Sequence, residues 1–142
     1  MVASSLIMAS VILLIQGKWI YPYTWLAKKE VAHSPEGSEH SVRIMSANVL
    51  MSNTRYQDLI DLVNENQPDL LITLESDIKW QQHLSVLEKD YPHTIFCPKD
   101  NRYGMHLYSK FKIIKQQVCE IVEEDIPSIH ILFETAQGHI MQ

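Results

Sequence analysis

Hydrophobic and polar positions divide the chain into stretches of different period. From Val2 to Ile15 fourteen residues run without a charge, interrupted only by Ser4, Ser5 and Ser10. Gln16-Gly17-Lys18 follows, then an aromatic group of Trp19, Tyr21, Tyr23 and Trp25. A helix that crosses a bilayer needs about 20 apolar residues, and the window Val2 to Tyr23 reaches that length with one lysine near its end. Trp and Tyr gather at membrane interfaces, and a terminal lysine snorkels to the headgroups. The pattern therefore predicts a membrane helix with an interfacial aromatic end over residues 1–25, with Pro22 ending the helix. A signal peptide would carry basic residues before the apolar run and a small-residue cleavage site after it, and neither is present. A buried core helix would leave the aromatic group unexplained. Residues 26–40, with Ser34-Pro35-Glu36-Gly37-Ser38, have linker composition.

From residue 41 the periods change to those of a folded domain, expected over 41–142. Val42 to Val49 alternates as a strand with Asn48 near its end. Tyr56 to Asn66 carries Leu59, Ile60 and Val63 on one face and Asp58, Asp61 and Glu65 off it, the pattern of an amphipathic helix. Asn53 or Thr54 is expected to cap it and Gln67-Pro68 to close it. Leu70 to Leu74 is apolar or β-branched throughout, as in a strand buried on both faces. Ser76 is expected to cap a second helix, with Trp80, Leu84 and Leu87 at i, i+4 and i+7 and an end at Tyr91-Pro92. Short strands follow at Thr94–Cys97, Met105–Ser109, Ile113–Val118, Ile129–Glu134 and His139–Met141, separated by turn residues. The order β-α-β-α and then a β meander gives an α+β class with a mixed sheet.

Glu75 stands at the C-terminal end of the apolar strand, where open α/β sheets place their ligands. By itself such a carboxylate reads first as a solvated residue opening a loop. A second strand upstream that ends in Asn48 changes that reading. The two are separated by about one strand–helix–strand unit, and a right-handed crossover of that length brings parallel strand ends side by side.

Charge adds one exclusion. Lys18, Lys28 and Lys29 balance Glu30, Glu36 and Glu39, so the net charge of −5 sits in 41–142. A domain that held nucleic acid mainly through its phosphates would be basic; a small phosphorylated substrate stays compatible. Cys97 and Cys119 lack CxxC spacing, which implies no zinc site; two buried free thiols are the first reading, and a disulfide between them, outside the cytosol, the second. The three lysines after the apolar run favour a cytoplasmic domain by the positive-inside rule, although an upstream helix would reverse the count.

Ser46-Ala47-Asn48-Val49, Pro68-Asp69-Leu70-Leu71-Ile72-Thr73-Leu74-Glu75 and Tyr103-Gly104-Met105-His106-Leu107-Tyr108-Ser109-Lys110, in this order and spacing, resemble the endonuclease/exonuclease/phosphatase superfamily. Gln16 to Thr24 is similar to the leader of its membrane-anchored bacterial members. The resemblance implies a deoxyribonuclease I-like fold, a four-layer α/β/β/α sandwich of which 41–142 would be the N-terminal half, preceded by the membrane helix. It also implies a divalent-metal-dependent phosphoesterase (a phosphodiesterase, nuclease or phosphatase). Mg²⁺, or Mn²⁺, would be held by Glu75 with Asn48 as its partner. Mg²⁺ keeps several waters, so one carboxylate and one amide oxygen suffice from the protein. The implied substrate is a phosphate ester in nucleic acid, a phosphorylated small molecule or a lipid, and the implied location is the bacterial inner membrane.

The sequence departs from the superfamily in two ways. Thr73 or Leu74 occupies the place where a Gln commonly precedes the Glu, which alters bonding around the metal. The later motifs are also missing: a central catalytic His, Gly-Asp-x-Asn and a terminal Ser-Asp-His. His139 reads as structural, and His106 and His130, mid-strand, as packed or solvent-facing. The chain is therefore expected to be an incomplete and inactive portion, since a general base alone contributes about 10²–10⁴ in rate. Half a sandwich leaves an apolar face uncovered, so a missing C-terminal half or self-association is expected to cover it. The alternative is a membrane-anchored binding module without catalysis.

Overall fold

The computed structural model describes residues 2–28 and 41–142, which belong to two separate units, Met1–Ser38 and Glu39–Gln142. Most of the expected linker, residues 29–40, lies outside the described residues.

In the first unit, helix α1 spans Val2–Ile20. Apolar side chains occupy all sides of it, and Leu6, Ile12, Leu14 and Trp19 are exposed. A soluble surface helix would confine them to one stripe. Ser10 Oγ donates to the carbonyl of Leu6 at 2.9 Å, so this hydroxyl is satisfied within the helix. The regular helix stops two residues before Pro22, and Tyr21–Tyr23 continue as one 3-10 turn with the proline near its start. Ser5–Tyr23 is long and apolar enough to cross a membrane.

In the second unit, β1 (Ile44–Asn48), β2 (Leu70–Leu74), β3 (His93–Cys97) and β4 (Met105–Ser109) form a sheet of order β1-β2-β4-β3. β1 and β2 are parallel, and β4 runs antiparallel to β2 and β3, so the sheet is mixed. Helix α2 (Tyr56–Asn66) makes the crossover between the parallel pair. Leu59, Ile60 and Val63 bury its apolar face. The expected cap at Asn53 or Thr54 is not found: Arg55 occupies the N-cap position without a side-chain cap. Asn53 Oδ1 instead accepts from the Arg55 N–H one step earlier, at 3.1 Å. At the other end Gln67 is left-handed and donates its N–H to Val63, and Pro68 prevents continuation. Asp69 then ties the parallel pair, its carboxylate accepting from the Arg43 N–H at 2.8 Å.

Helix α3 (Ile78–Leu84) runs into a 3-10 segment, Ser85–Lys89. Its cap is Asp77, whose carboxylate accepts from the Trp80 N–H at 2.9 Å; Ser76, expected in that role, is buried and bonded elsewhere. Trp80, Leu84 and Leu87 pack with Leu59, Val63, Leu71, Tyr91 and Tyr108 into one core on this side of the sheet. The Tyr91 hydroxyl donates to the Pro68 carbonyl at 2.8 Å, and burial followed by the nearby Asp69 and Asp90 pushes its pKa up to about 12.

Strands β5 (Lys112–Cys119), β6 (Ser128–Glu134) and β7 (Ile140–Met141) make a second, antiparallel sheet. Ile72, Leu107 and Met105 of the first sheet and Ile129, Ile131 and Phe133 of the second line one apolar cavity of about 540 Å³. Ile44 on its border is 58% exposed, so this inner face is incompletely covered. Cys97 and Cys119 are free as expected, but half-buried rather than buried.

Candidate functional site

Parallel pairing sets the geometry of the candidate site. Asn48 lies opposite Leu74 in the β1–β2 register, and the Val49 N–H extends the ladder to the Leu74 carbonyl at 3.0 Å. Asn48 and Glu75 thus leave adjacent strands at one end of the sheet, and the Asn48 amide Nδ2 donates to Glu75 Oε1 at 2.8 Å. The Asn48 carbonyl oxygen turns the other way and accepts from the Leu50 N–H at 3.1 Å. The amide nitrogen, and not its oxygen, therefore faces the carboxylate. Glu75 is half-buried, and its Oε2 has no hydrogen-bond partner among the described residues.

The loop that carries Glu75 is held from several directions. Glu75 is itself left-handed, with φ of 58°, a conformation that costs a non-glycine residue roughly 1 kcal/mol or more. Thr73 Oγ1 donates to Ser76 Oγ at 3.1 Å, and the Ser76 N–H donates to the Gly104 carbonyl at 3.1 Å. Gly104 permits this approach because a Cβ there would stand 1.9 Å from the Ser76 carbonyl oxygen. Asp77, capping α3, fixes the far end of the loop. Strain persists where the surroundings over-determine it, and Leu50 (φ 55°) and Arg102 (φ 69°) are left-handed at this same end of the sheet.

A second loop system braces the first. Lys99 pairs with Asp125, which raises the lysine's pKa, and lies 3.9 Å from Glu120. The Asn101 amide donates to the Asp125 carbonyl at 3.2 Å, while Asn101 Oδ1 accepts from the Tyr103 N–H at 3.0 Å. These contacts join the β3–β4 loop to the β5–β6 loop. A pairing over 26 residues between Lys99 and Asp125 leaves no local signal in the sequence.

The histidines fall in different places. His106 is fully buried on β4 opposite Thr73, and neither ring nitrogen has a hydrogen-bond partner among the described residues. Burial pulls its pKa down to about 4, against an opposing pull from Asp77. His130 is exposed on β6. His139 precedes β7, where its carbonyl accepts from the Thr135 N–H at 2.8 Å and its own N–H donates to Thr135 Oγ1 at 3.1 Å.

Among the described residues no three His, Cys, Asp or Glu side chains come together as a metal cage. One strand-end carboxylate with a free oxygen suits a cation that takes oxygen ligands and keeps its water, as Mg²⁺ does. It does not suit Zn²⁺, which wants three or four protein ligands.

Solved structures share this architecture. The chain is similar to truncated Caenorhabditis elegans TDP2 with a TM-score of 0.57 and 18% identity, over 70% of this chain and 43% of that one. It is similar to TDP2 from C. elegans (TM-score 0.56, 20% identity, 70% and 33% covered) and to D. rerio TDP2 humanized by 14 mutations (0.57, 15%, 67% and 42%). The chain thus spans less than half the length of these structures and shares their deoxyribonuclease I-like α+β fold. No curated protein matches it in sequence. Residues 45–141 match the Endonuclease/Exonuclease/phosphatase family across both sheets, and the chain belongs to that family.

Proposed function

We propose that this chain carries the metal-binding side of a divalent-metal-dependent phosphoesterase, with Glu75 as the carboxylate ligand of Mg²⁺ or Mn²⁺ and Asn48 as its partner. The observation that carries the reading is the 2.8 Å contact between Asn48 and Glu75 at adjacent parallel strand ends, with no partner for the second carboxylate oxygen among the described residues. Family membership supports the reaction class. When bound, the metal polarises the phosphoryl oxygens and stabilises the leaving group. Asn48 keeps Glu75 oriented, and the Thr73–Ser76–Gly104 contacts hold the backbone of that loop.

Proton transfer is the part these residues supply least. His106, the histidine on the strand nearest Glu75's own, is sealed in the core. The 142-residue chain by itself is therefore proposed to turn substrate over slowly, and a general base from further polypeptide to complete the site. The apolar helix α1 supports a membrane-anchored enzyme, with the bacterial inner membrane as its proposed location.

A second reading, a membrane-anchored binding module without catalysis, draws support from the apolar cavity between the sheets. Mg²⁺ titration followed by thermal unfolding separates the two. The enzyme reading expects stabilisation by about 2.7 kcal/mol at a hundredfold excess of Mg²⁺ over its Kd, absent in Glu75→Ala. No Mg²⁺ effect in the wild type, or the same effect in Glu75→Ala, favours the binding module.

A further inference from the structure

The chain has three arginines, and two of them are committed. Arg43 donates to the Asn66 carbonyl at 2.6 Å, and Arg55 pairs with Asp58. Arg102 is exposed and has no ion pair or hydrogen bond among the described residues, in a protein of net charge −5. Of the carboxylates at this end of the sheet, Glu75 is engaged with Asn48, Asp77 with the Trp80 N–H and Asp125 with Lys99, while the exposed Asp100 two residues away forms no ion pair with Arg102.

The position of Arg102 follows from the register. Met105 lies opposite Leu74, so the residues before it run beside Glu75 and Ser76, and Gly104 meets Ser76 directly. Tyr103 and Arg102 therefore sit one and two residues beyond that contact, on the border of the Asn48–Glu75 end. Their loop is not free to fold away, because Asn101, Lys99 and Asp125 brace it. Arg102 is held at φ 69°, and the Tyr103 ring beside it is 53% exposed.

We propose that Arg102 and Tyr103 form the recognition border of this site, Arg102 gripping a phosphate and Tyr103 stacking on a planar ring carried by the same ester. The inference rests on the phosphoesterase reading and narrows its substrate to nucleotide-type esters over sugar or lipid phosphates. A guanidinium presents paired donors that match two phosphate oxygens, and it stays charged at any physiological pH. A tyrosine face offers stacking that tolerates any base, and a phosphate without a ring gains nothing from it. The two residues therefore divide the work: charge binds the phosphate, and the ring sets the class of ester.

The test measures binding by calorimetry to the whole chain in detergent micelles, with EDTA present so that no metal contributes. The probes are a 5′-phosphorylated thymidine dinucleotide and glycerol 3-phosphate. The dinucleotide is expected to bind about tenfold tighter than glycerol 3-phosphate. Arg102→Ala is expected to weaken both by about tenfold, with partial retention in Arg102→Lys. Tyr103→Leu should erase only the preference for the dinucleotide, and Tyr103→Phe should keep it. Both side chains are exposed, so thermal unfolding of these variants should match the wild type. Dinucleotide binding untouched by Arg102→Ala, or equal affinity for the two probes in the wild type, overturns the proposal. Glu75→Gln separates this from the metal reading: it should abolish Mg²⁺ stabilisation while leaving metal-free dinucleotide binding equal or tighter. A Glu75-dependent Mg²⁺ effect without Arg102-dependent binding defeats the recognition border alone.

Discussion

Asn48 donates its side-chain amide to the carboxylate of Glu75 across the ends of two parallel strands, at 2.8 Å. The bond spans 27 residues of chain yet requires only that β1 and β2 start in register, which Asp69 secures at the opposite end by accepting from the Arg43 N–H. A carboxylate oriented in this way presents its second oxygen in one direction. Asn48→Ala is expected to leave the fold intact, because Asn48 is exposed, and to weaken Mg²⁺ binding by about tenfold or more, as loss of an orienting partner does. Isothermal titration of Mg²⁺ into the variant checks this. An unchanged affinity would mean that Glu75 orients itself without Asn48.

Gly104 tests how tightly the Glu75 loop is built. Its backbone does not need a left-handed conformation; the need is for space, since a Cβ would stand 1.9 Å from the Ser76 carbonyl oxygen and 2.7 Å from the Lys99 nitrogen. Both obstacles are backbone atoms and cannot rotate aside. Gly104→Ala should therefore destabilise the domain by about 3 kcal/mol, the upper range for overpacking, in urea unfolding followed by tryptophan fluorescence. The strain falls on Ser76, next to Glu75, so Mg²⁺ stabilisation should weaken in the same variant.

What was legible in the sequence depended on range. The helix at Tyr56–Asn66 is visible as a period because one face of it meets the core, and the strand at Leu70–Leu74 as an unbroken apolar run because side chains on both of its faces are buried or half-buried. Asn48 and Glu75 are visible because each closes an apolar strand, and parallel pairing puts such ends together. The direction of the amide between them is not visible, since it depends on the Leu50 N–H claiming the oxygen. Capping went astray for a related reason. Ser76 and Asp77 are both good caps, and the choice fell to Asp77 because Ser76 is drawn into the core by Thr73 and Gly104. The Lys99–Asp125 brace joins two loops that lie 26 residues apart in sequence, which no local period records.

Asp77 offers a third prediction. Its carboxylate accepts from the Trp80 N–H, an amide that otherwise has no partner at the start of α3. Asp77→Ala should cost about 1 kcal/mol, with most of it recovered in Asp77→Asn. Hydrogen exchange localises the effect: the Trp80 amide should lose protection in Asp77→Ala while the β1–β2 ladder keeps its own. Equal loss across the sheet would show that Asp77 supports the whole loop rather than the helix start.

His106 makes stability depend on pH in a definite direction. The ring is fully buried, with no partner for either nitrogen among the described residues; burial disfavours the charged form and lowers the pKa from 6.5 to about 4, even with Asp77 pulling the other way. Between those values the unfolded chain takes up a proton that the folded chain refuses. Stability is therefore intact above pH 6.5 and declines as pH falls toward 4, by roughly 3 kcal/mol in total. Carboxylates add their own loss below about pH 5, so the informative quantity is the difference between wild type and His106→Leu. That difference should grow as the solution is acidified, with the variant the more stable, because leucine has no proton to take up and no ring nitrogens to leave unpaired. Parallel curves for the two proteins from pH 7 to 4 would mean that His106 is protonated in the fold, through a partner that reaches it inside the core.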